Sequence, residues 1–363
     1  MDISFAYWVP NVSGGLVTST IPMRTDWSFE YNKRLAITAE AAGFDYALAQ
    51  ARFFASYGAD KQLEAVTIAT ALAAVTSKLN LIAAVHPGLW HPAVIANVIA
   101  SANYISAGRV SLNVVSGWFK DEYTGFGAEW LEHDERYVRS EEFIRVLKGM
   151  WTEDRFTFKG KYYNVTDVPC EPKPVGQGRP AIFQGGMSHA AREMAARVSD
   201  VMFVNGGSVE DIAGIIQDVK ARAAKYGRAD QIKFAMNAFV IVRDTEAEAQ
   251  QVLREIVAQA HTEAVQGFGA AVKEAGQSTK EGEGMWAHSS FEDLIQYNDG
   301  FKPRLVGAPT QVARRIQEYE AVGVDILLCG FLHFIEEVEQ FGWRVRPLVR
   351  ELPSLRHQEL AAH

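Results

Sequence analysis

A (β/α)8 barrel is the fold class predicted by this 363-residue sequence. Short β-type apolar runs alternate with helical-period segments almost from end to end, the rhythm of parallel β-α units. Eight of each occur, the number that closes a barrel. The stretches "AAGFDYAL", "SAGRVSLNV" and "AVGVDILL" look alike because each stops a helix at a glycine and starts an inner strand. In chain order, a strand over Ile3–Val9 leads to a helix over Ser28–Ala42. Strands over Tyr46–Gln50, Leu79–Val85 and Val110–Val115 precede helices over Leu63–Val75, Pro92–Ser106 and Asp134–Trp151. Strands over Ala181–Gln184, Val201–Val204 and Phe234–Val242 precede helices over His189–Val198, Val209–Tyr226 and Thr245–Ala260. A helix over Thr310–Ala321 then comes before the last strand, Ile326–Gly330.

Three stretches interrupt this rhythm. "FTFKGKYYNV", residues 156–165, alternates about Lys159-Gly160 and reads as a β-hairpin. "EPKPVGQGRP", residues 171–180, is a Pro/Gly connector. Residues 261–305 form an insertion after the seventh strand, on the face where barrel active sites lie, and a lid is expected there. The expected organisation is one domain over 1–352 with a polar tail at 353–363.

Composition narrows the function classes. Hydrophobic content of 48% and charged content of 22% describe a globular chain with a sizeable core. A net charge of -8, with Lys and Arg scattered, speaks against nucleic-acid and anionic-membrane partners, which call for a basic face. The two cysteines, Cys170 and Cys329, lie far apart and outside any CxxC, so neither a disulfide framework nor a zinc site is indicated. No apolar run reaches membrane-spanning length and no leader pattern opens the chain, so a cytoplasmic location is expected.

Barrel chemistry sits at the C-terminal ends of the strands. Those ends read "YWVPN", "LAQARFF", "AVHPGLWHP", "NVVSGWFKDEY", "NAFVIV" and "CGFLHF": aromatic and nearly uncharged. Trp8, Phe53, Trp90, Trp118, Phe239 and Phe331 either line a flat apolar slot or fill the barrel as packing. Metal spacing and a nucleophile elbow are both missing, so a cofactor is expected to bring the chemistry. "IFQGGMSHAARE", residues 182–193, is a strand, two glycines and a serine opening a helix. That is either an ordinary turn or an anion site built from bare backbone N–H groups and a helix N-terminus.

Taken with "NVVSGWFKDEYTGFGAEWLEHDERYVRSEEF", residues 113–143, this turn resembles the bacterial-luciferase-like flavin monooxygenases, in particular those acting on alkanesulfonates and dimethyl sulfone. "FAYWVPNVSGGLV", "AAVHPGLWHP", "WTEDRFTFKGKYY" and "LLCGFLHFIEEVEQFG" extend the resemblance over residues 1–352. It implies reduced FMN delivered by a separate NAD(P)H-dependent flavin reductase, O2 as co-substrate, and a homo-oligomer, dimer or tetramer. It also implies that Gly185, Gly186 and Ser188 hold the FMN phosphate with Arg136 and Tyr137 closing on it. Asn113 and Glu122 match positions near the flavin ring and ribityl chain, with Gln50 and Ala51 beside the ring. Where the alkanesulfonate enzymes place an arginine, a histidine and a tyrosine, this chain has Asn237, Phe239 and Phe331. Such a pocket lacks a partner for a sulfonate charge and suits a neutral sulfone, with Asn237 as donor to its oxygens. Arg304 resembles a family arginine that closes over the flavin, and Trp8 and Trp90 stand at the substrate end. The implied reaction converts dimethyl sulfone to methanesulfinate and formaldehyde, with His333 and His86 as candidate proton-handling groups. Alternatives are a methanesulfonate monooxygenase, a deazaflavin hydride-transfer barrel and a non-catalytic flavin-binding protein.

Overall fold

The computed structural model describes residues 2–176, 178–277, 286 and 288–353. Its strands are β1 (Ser4–Val9), β2 (Tyr46–Ala49), β3 (Asn80–Val85), β4 (Val110–Val114), β5 (Phe156–Lys159), β6 (Asn164–Val168), β7 (Ile182–Gly185), β8 (Val201–Val204), β9 (Lys233–Phe239), β10 (Ile241–Val242), β11 (Val306–Gly307) and β12 (Ile326–Gly330). A closed barrel runs β1-β12-β9-β8-β7-β4-β3-β2, every barrel pair parallel. Strand side chains alternate, so Ala6, Leu48, Ile82, Phe183, Phe203, Ala235 and Leu328 fill the interior while their neighbours meet the helices. The predicted barrel class is therefore the observed one.

Helices α1 (Phe29–Ala42), α2 (Ala65–Val75), α3 (Pro92–Ile105), α4 (Lys120–Gly125), α5 (His133–Thr152), α6 (His189–Val198), α7 (Val209–Ala224) and α8 (Glu246–Ala258) follow in chain order. After them come α9 (Thr262–Gln277), α10 (Phe291–Ile295), α11 (Pro309–Ala321), α12 (Phe334–Arg344) and α13 (Arg346–Glu351). Ser28 caps α1 through its side chain, and Gly43 ends it at φ 84°, its N–H reaching the Ala39 and Glu40 carbonyls. That left-handed turn delivers the chain directly into β2.

Two expectations are corrected. The seventh barrel strand ends at Phe239, whose N–H goes to the Gly300 carbonyl of the insertion while the Val240 N–H makes the last ladder bond to Gly330 of β12. The chain then leaves the barrel, and β10 pairs with β11. The eighth helix of the barrel is α12, packed on α1, whereas α11 precedes the last strand. The 261–305 insertion holds α9, α10 and a 3-10 turn over Tyr297–Asp299, and its residues 278–285 and 287 lie outside the described residues, as does the tail beyond 353. The expected hairpin is β5 with β6, antiparallel.

At the opposite end of the barrel from the strand C-termini, Asp200 ties β7 to the following turn. It receives both Arg179 guanidinium nitrogens at 2.6 and 2.8 Å and the Ile182 N–H at 2.8 Å. Burial alone would raise the carboxyl pKa, but Arg179 and Lys148 reverse this and hold it below its usual 3.8. A lowered folded pKa adds stability above the unfolded value and loses it as pH falls through the folded one. Asp200→Asn is expected to cost about 2 kcal/mol at neutral pH. Urea unfolding across pH 2–7 checks this: the variant's stability should fall less than the parent's below pH ~4.

Candidate active site

One cavity opens at the C-terminal ends of the strands, and its lining combines hydrogen-bonding groups with aromatic and apolar side chains. Strand β7 runs out into Gly185 and Gly186 before α6 begins. Ser188 is the α6 N-cap, its Oγ accepting from the Ala191 N–H at 3.3 Å. Gly186 sits at φ +131°, and a Cβ there would lie 2.7 Å from the Tyr137 hydroxyl and 2.8 Å from the Ala191 Cβ. Only glycine allows that close approach. Gly185 has open space where a Cβ would be.

Helix α5 brings the complementary groups. His133, Arg136 and Tyr137 fall at i, i+3 and i+4, on one face, and all three line the cavity. The Arg136 guanidinium lies 4.3 Å from the Trp130 ring centroid and donates to the Gly117 carbonyl. Burial raises the Tyr137 phenol pKa, opposed by the Ser188 hydroxyl and by Arg136. Bare backbone, a capping hydroxyl, a phenol and a guanidinium line the same cavity beside a helix N-terminus, a donor set for a phosphate dianion.

Further in, Gln50 and Asn113 line the cavity from the ends of β2 and β4. Gln50 Nε2 and Asn113 Oδ1 are buried without a hydrogen-bond partner. One lacks an acceptor and the other a donor, so a bound ring with polar edges would satisfy both. Ala51 lines the cavity beside them. The barrel strands contribute Trp8, Leu48, Phe203 and Leu328 to the cavity wall, with Phe203 paired in register with Gly185, and the rest of the wall includes Tyr57 and Trp118 from strand-end loops and Phe268 and Tyr297 from the insertion. Phe268 packs edge-on against Trp118 and Tyr297 at 5.6 and 4.9 Å between centroids.

Several residues picked out from the sequence stand elsewhere. Asn237 does line the cavity, but its amide is spent: Oδ1 accepts from Trp8 Nε1 at 2.7 Å, and Nδ2 faces Gln296 Oε1 and the Tyr297 and Asn298 carbonyls at 3.0–3.2 Å. It is a brace between barrel and insertion, with no donor left for a substrate. Phe239 is fully buried against Phe301, and Phe331 packs among Phe44, Phe334 and Phe341 behind the wall. Phe331 comes one residue after Gly330, which shares the inward parity of Leu328, so alternation turns it outward, while Phe239 shares the parity of Ala235 and Asn237 but is covered by Phe301 of the insertion. Trp90 lines a small separate hollow with Phe53 and His86. Arg304, at φ 56° just before β11, is exposed and off the cavity.

The two candidate histidines are also off the cavity. His333 is the residue before α12 and accepts the Arg24 N–H on Nδ1 at 3.2 Å. His86 is buried, with its ring nitrogens 2.9 and 3.0 Å from the Ala51 and Val115 carbonyls. Burial lowers its pKa, opposed by Glu122. Glu122 is fully buried behind the cavity wall, where Oε1 accepts the Phe53 and Phe54 N–H groups at 2.7 and 2.9 Å. Its place one turn into α4 aims it at the β2 loop instead of a ligand. Among the described residues, no cluster of His, Cys, Asp or Glu is arranged to hold a metal ion.

The family model for luciferase-like monooxygenases matches residues 3–326. An FMNH(2)-dependent dimethylsulfone monooxygenase of Pseudomonas putida is 58% identical over 359 residues, covering 99% of this chain and 98% of that protein. One from Pseudomonas fluorescens (strain Pf0-1) is 57% identical over 352 residues, covering 97% and 96%. A solved riboflavin lyase, with modified FMN and riboflavin, superposes with a TM-score of 0.83 at 22% identity, covering 99% of this chain and 96% of that one. Barrel, cavity and sequence thus agree, and the chain belongs to the luciferase-like monooxygenase family.

Proposed function

We propose that this protein is an FMNH2-dependent monooxygenase that converts dimethyl sulfone and O2 to methanesulfinate and formaldehyde, with reduced FMN supplied by a separate flavin reductase. The observation that carries it is a cavity lined at once by a phosphate-type donor set, by two unpartnered amides and by aromatic and apolar side chains. Two nearly full-length relatives carry that activity in their names, which supports the same reading.

The residues present fit reduced FMN. Gly185, Gly186 and Ser188 would receive its phosphate with Arg136 and Tyr137, and Gln50 and Asn113 would meet the polar edges of its ring. Once bound, the cofactor supplies two electrons and activates O2 so that one oxygen enters a methyl C–H bond and the other leaves as water. The chain's share is placement and dryness. Trp8, Leu48, Phe203 and Leu328 present apolar surface to the methyl groups and exclude water. The hydroxymethyl sulfone then breaks its C–S bond, the electron pair passing to sulfur as formaldehyde departs. The hydroxyl proton passes to solvent once the hydroxymethyl sulfone leaves the apolar wall; His133 and His261 are the imidazoles that line the cavity among the described residues.

Purified protein is supplied with FMNH2 from an unrelated reductase, in air, with dimethyl sulfone. Formaldehyde and methanesulfinate should appear in equal amounts, and neither should appear without the reductase. Absence of both products, with tight binding of oxidised FMN, would instead indicate a flavin-storage protein. No helix among the described residues is long and apolar enough to cross a membrane. A homo-oligomer is proposed, and size-exclusion chromatography with light scattering tests it.

A further inference from the structure

Arg52 lies just beyond the end of β2 and lines the same cavity. Its side chain is only 10% exposed and is fixed from several directions. Nη2 donates to the Phe54 carbonyl at 2.9 Å and to Ser56 Oγ at 2.6 Å. The guanidinium lies 4.2 Å from the Phe119 ring centroid and 5.2 Å from that of Trp118. Behind it stands Glu122, fully buried, with Oε1 3.8 Å from Arg52 Nε. Nε is buried and faces that carboxylate without a hydrogen bond, and among the described residues Nη1 has no hydrogen-bond partner, so Nη1 is the donor left for a ligand.

A buried cation backed by a buried carboxylate is a strong, directional donor with little net charge. Such a donor suits an oxygen that carries a large dipole and no charge. A sulfone oxygen meets that description. A sulfonate would meet the same N–H groups, but the field of Glu122 directly behind would cancel much of its gain, while the cost of removing the anion from water stays in full. We propose that Arg52, backed by Glu122, receives a sulfone oxygen, and that this pairing sets the preference for neutral sulfones over sulfonates. The inference rests on the monooxygenase function proposed above.

The test compares the parent protein, Glu122→Gln and the double variant Arg52→Gln/Glu122→Gln. Each is given FMNH2 from an unrelated reductase and varied dimethyl sulfone or methanesulfonate, and FMN affinity is measured on the same preparations. In Glu122→Gln the guanidinium charge is no longer offset, so the methanesulfonate-to-sulfone ratio of kcat/KM should rise about tenfold or more. In the double variant the KM for the sulfone should rise about tenfold or more, without any gain for the sulfonate and with FMN affinity within about threefold of the parent. The double variant leaves no unpaired buried charge, so it decides the matter if the single one fails to fold. An unchanged ratio in folded Glu122→Gln, an unchanged sulfone KM in the double variant, or FMN affinity falling in step with KM overturns the proposal. A parent protein that yields no methanesulfinate from the sulfone contradicts the function itself, and is thereby told apart.

Discussion

Gly186→Ala is expected to weaken FMN binding by about a hundredfold and to destabilise the fold by about 2 kcal/mol. At φ +131° an L residue is strained by roughly 1–3 kcal/mol wherever it stands. The added methyl also meets the Tyr137 hydroxyl and the Ala191 Cβ at under 3 Å, so the phenol or the first turn of α6 must shift. Either movement displaces the groups around Ser188 that would receive the phosphate. Gly185→Ala is the control, since its methyl enters open space and should leave stability within about 0.5 kcal/mol of the parent. Flavin-fluorescence titration and urea unfolding of both variants check this. Parent-like FMN affinity in Gly186→Ala would remove the turn from the cofactor site.

Asn237→Leu carries the second large effect, about 3 kcal/mol of stability together with loosening of the 296–300 segment. The substitution keeps the branched heavy-atom shape of the side chain but breaks the brace. It leaves Trp8 Nε1 without its acceptor and withdraws a donor from the Tyr297 and Asn298 carbonyls. Gln296 Oε1 keeps the Gly300 N–H at 2.7 Å, so part of the turn survives. Trp8→Phe breaks only the first of these bonds and should cost about 1 kcal/mol in polar terms. Chemical unfolding with limited proteolysis of the native state compares the two. Equal costs for both variants would mean that Asn237 does not hold the insertion to the barrel.

The barrel was legible in the sequence because its signals are local. Apolar runs, helical periods and helix-stopping glycines such as Gly43 each act within a few residues. The G-G-x-S turn was legible for the same reason: φ +131° at Gly186 and the Ser188 cap are properties of the segment itself. What the sequence hid depends on where distant segments meet. Phe331 falls on the outward parity of its strand, and Phe239, although inward by alternation, is covered by Phe301 of the insertion, whose Gly300 carbonyl takes the Phe239 N–H. Asn237 looked like a free donor because its partners Gln296, Tyr297 and Asn298 come from an insertion of weak periodicity. His133 was missed although the spacing in "HDERY" places it on the face of Arg136 and Tyr137. Arg52 was missed because nothing near it in sequence announces Glu122, seventy residues further along.

Everything proposed for the cavity depends on its glycine-serine end holding a phosphate. The measurement that tests this most directly is the anaerobic affinity of the parent protein for reduced FMN and for reduced riboflavin, two ligands that differ only in that group. Several charge-assisted hydrogen bonds to a dianion at a helix N-terminus predict that reduced FMN binds more tightly by about 3 kcal/mol, roughly two orders of magnitude. Equal affinities would contradict the assignment of Gly185, Gly186, Ser188, Arg136 and Tyr137, and with it the orientation of the cofactor in the cavity.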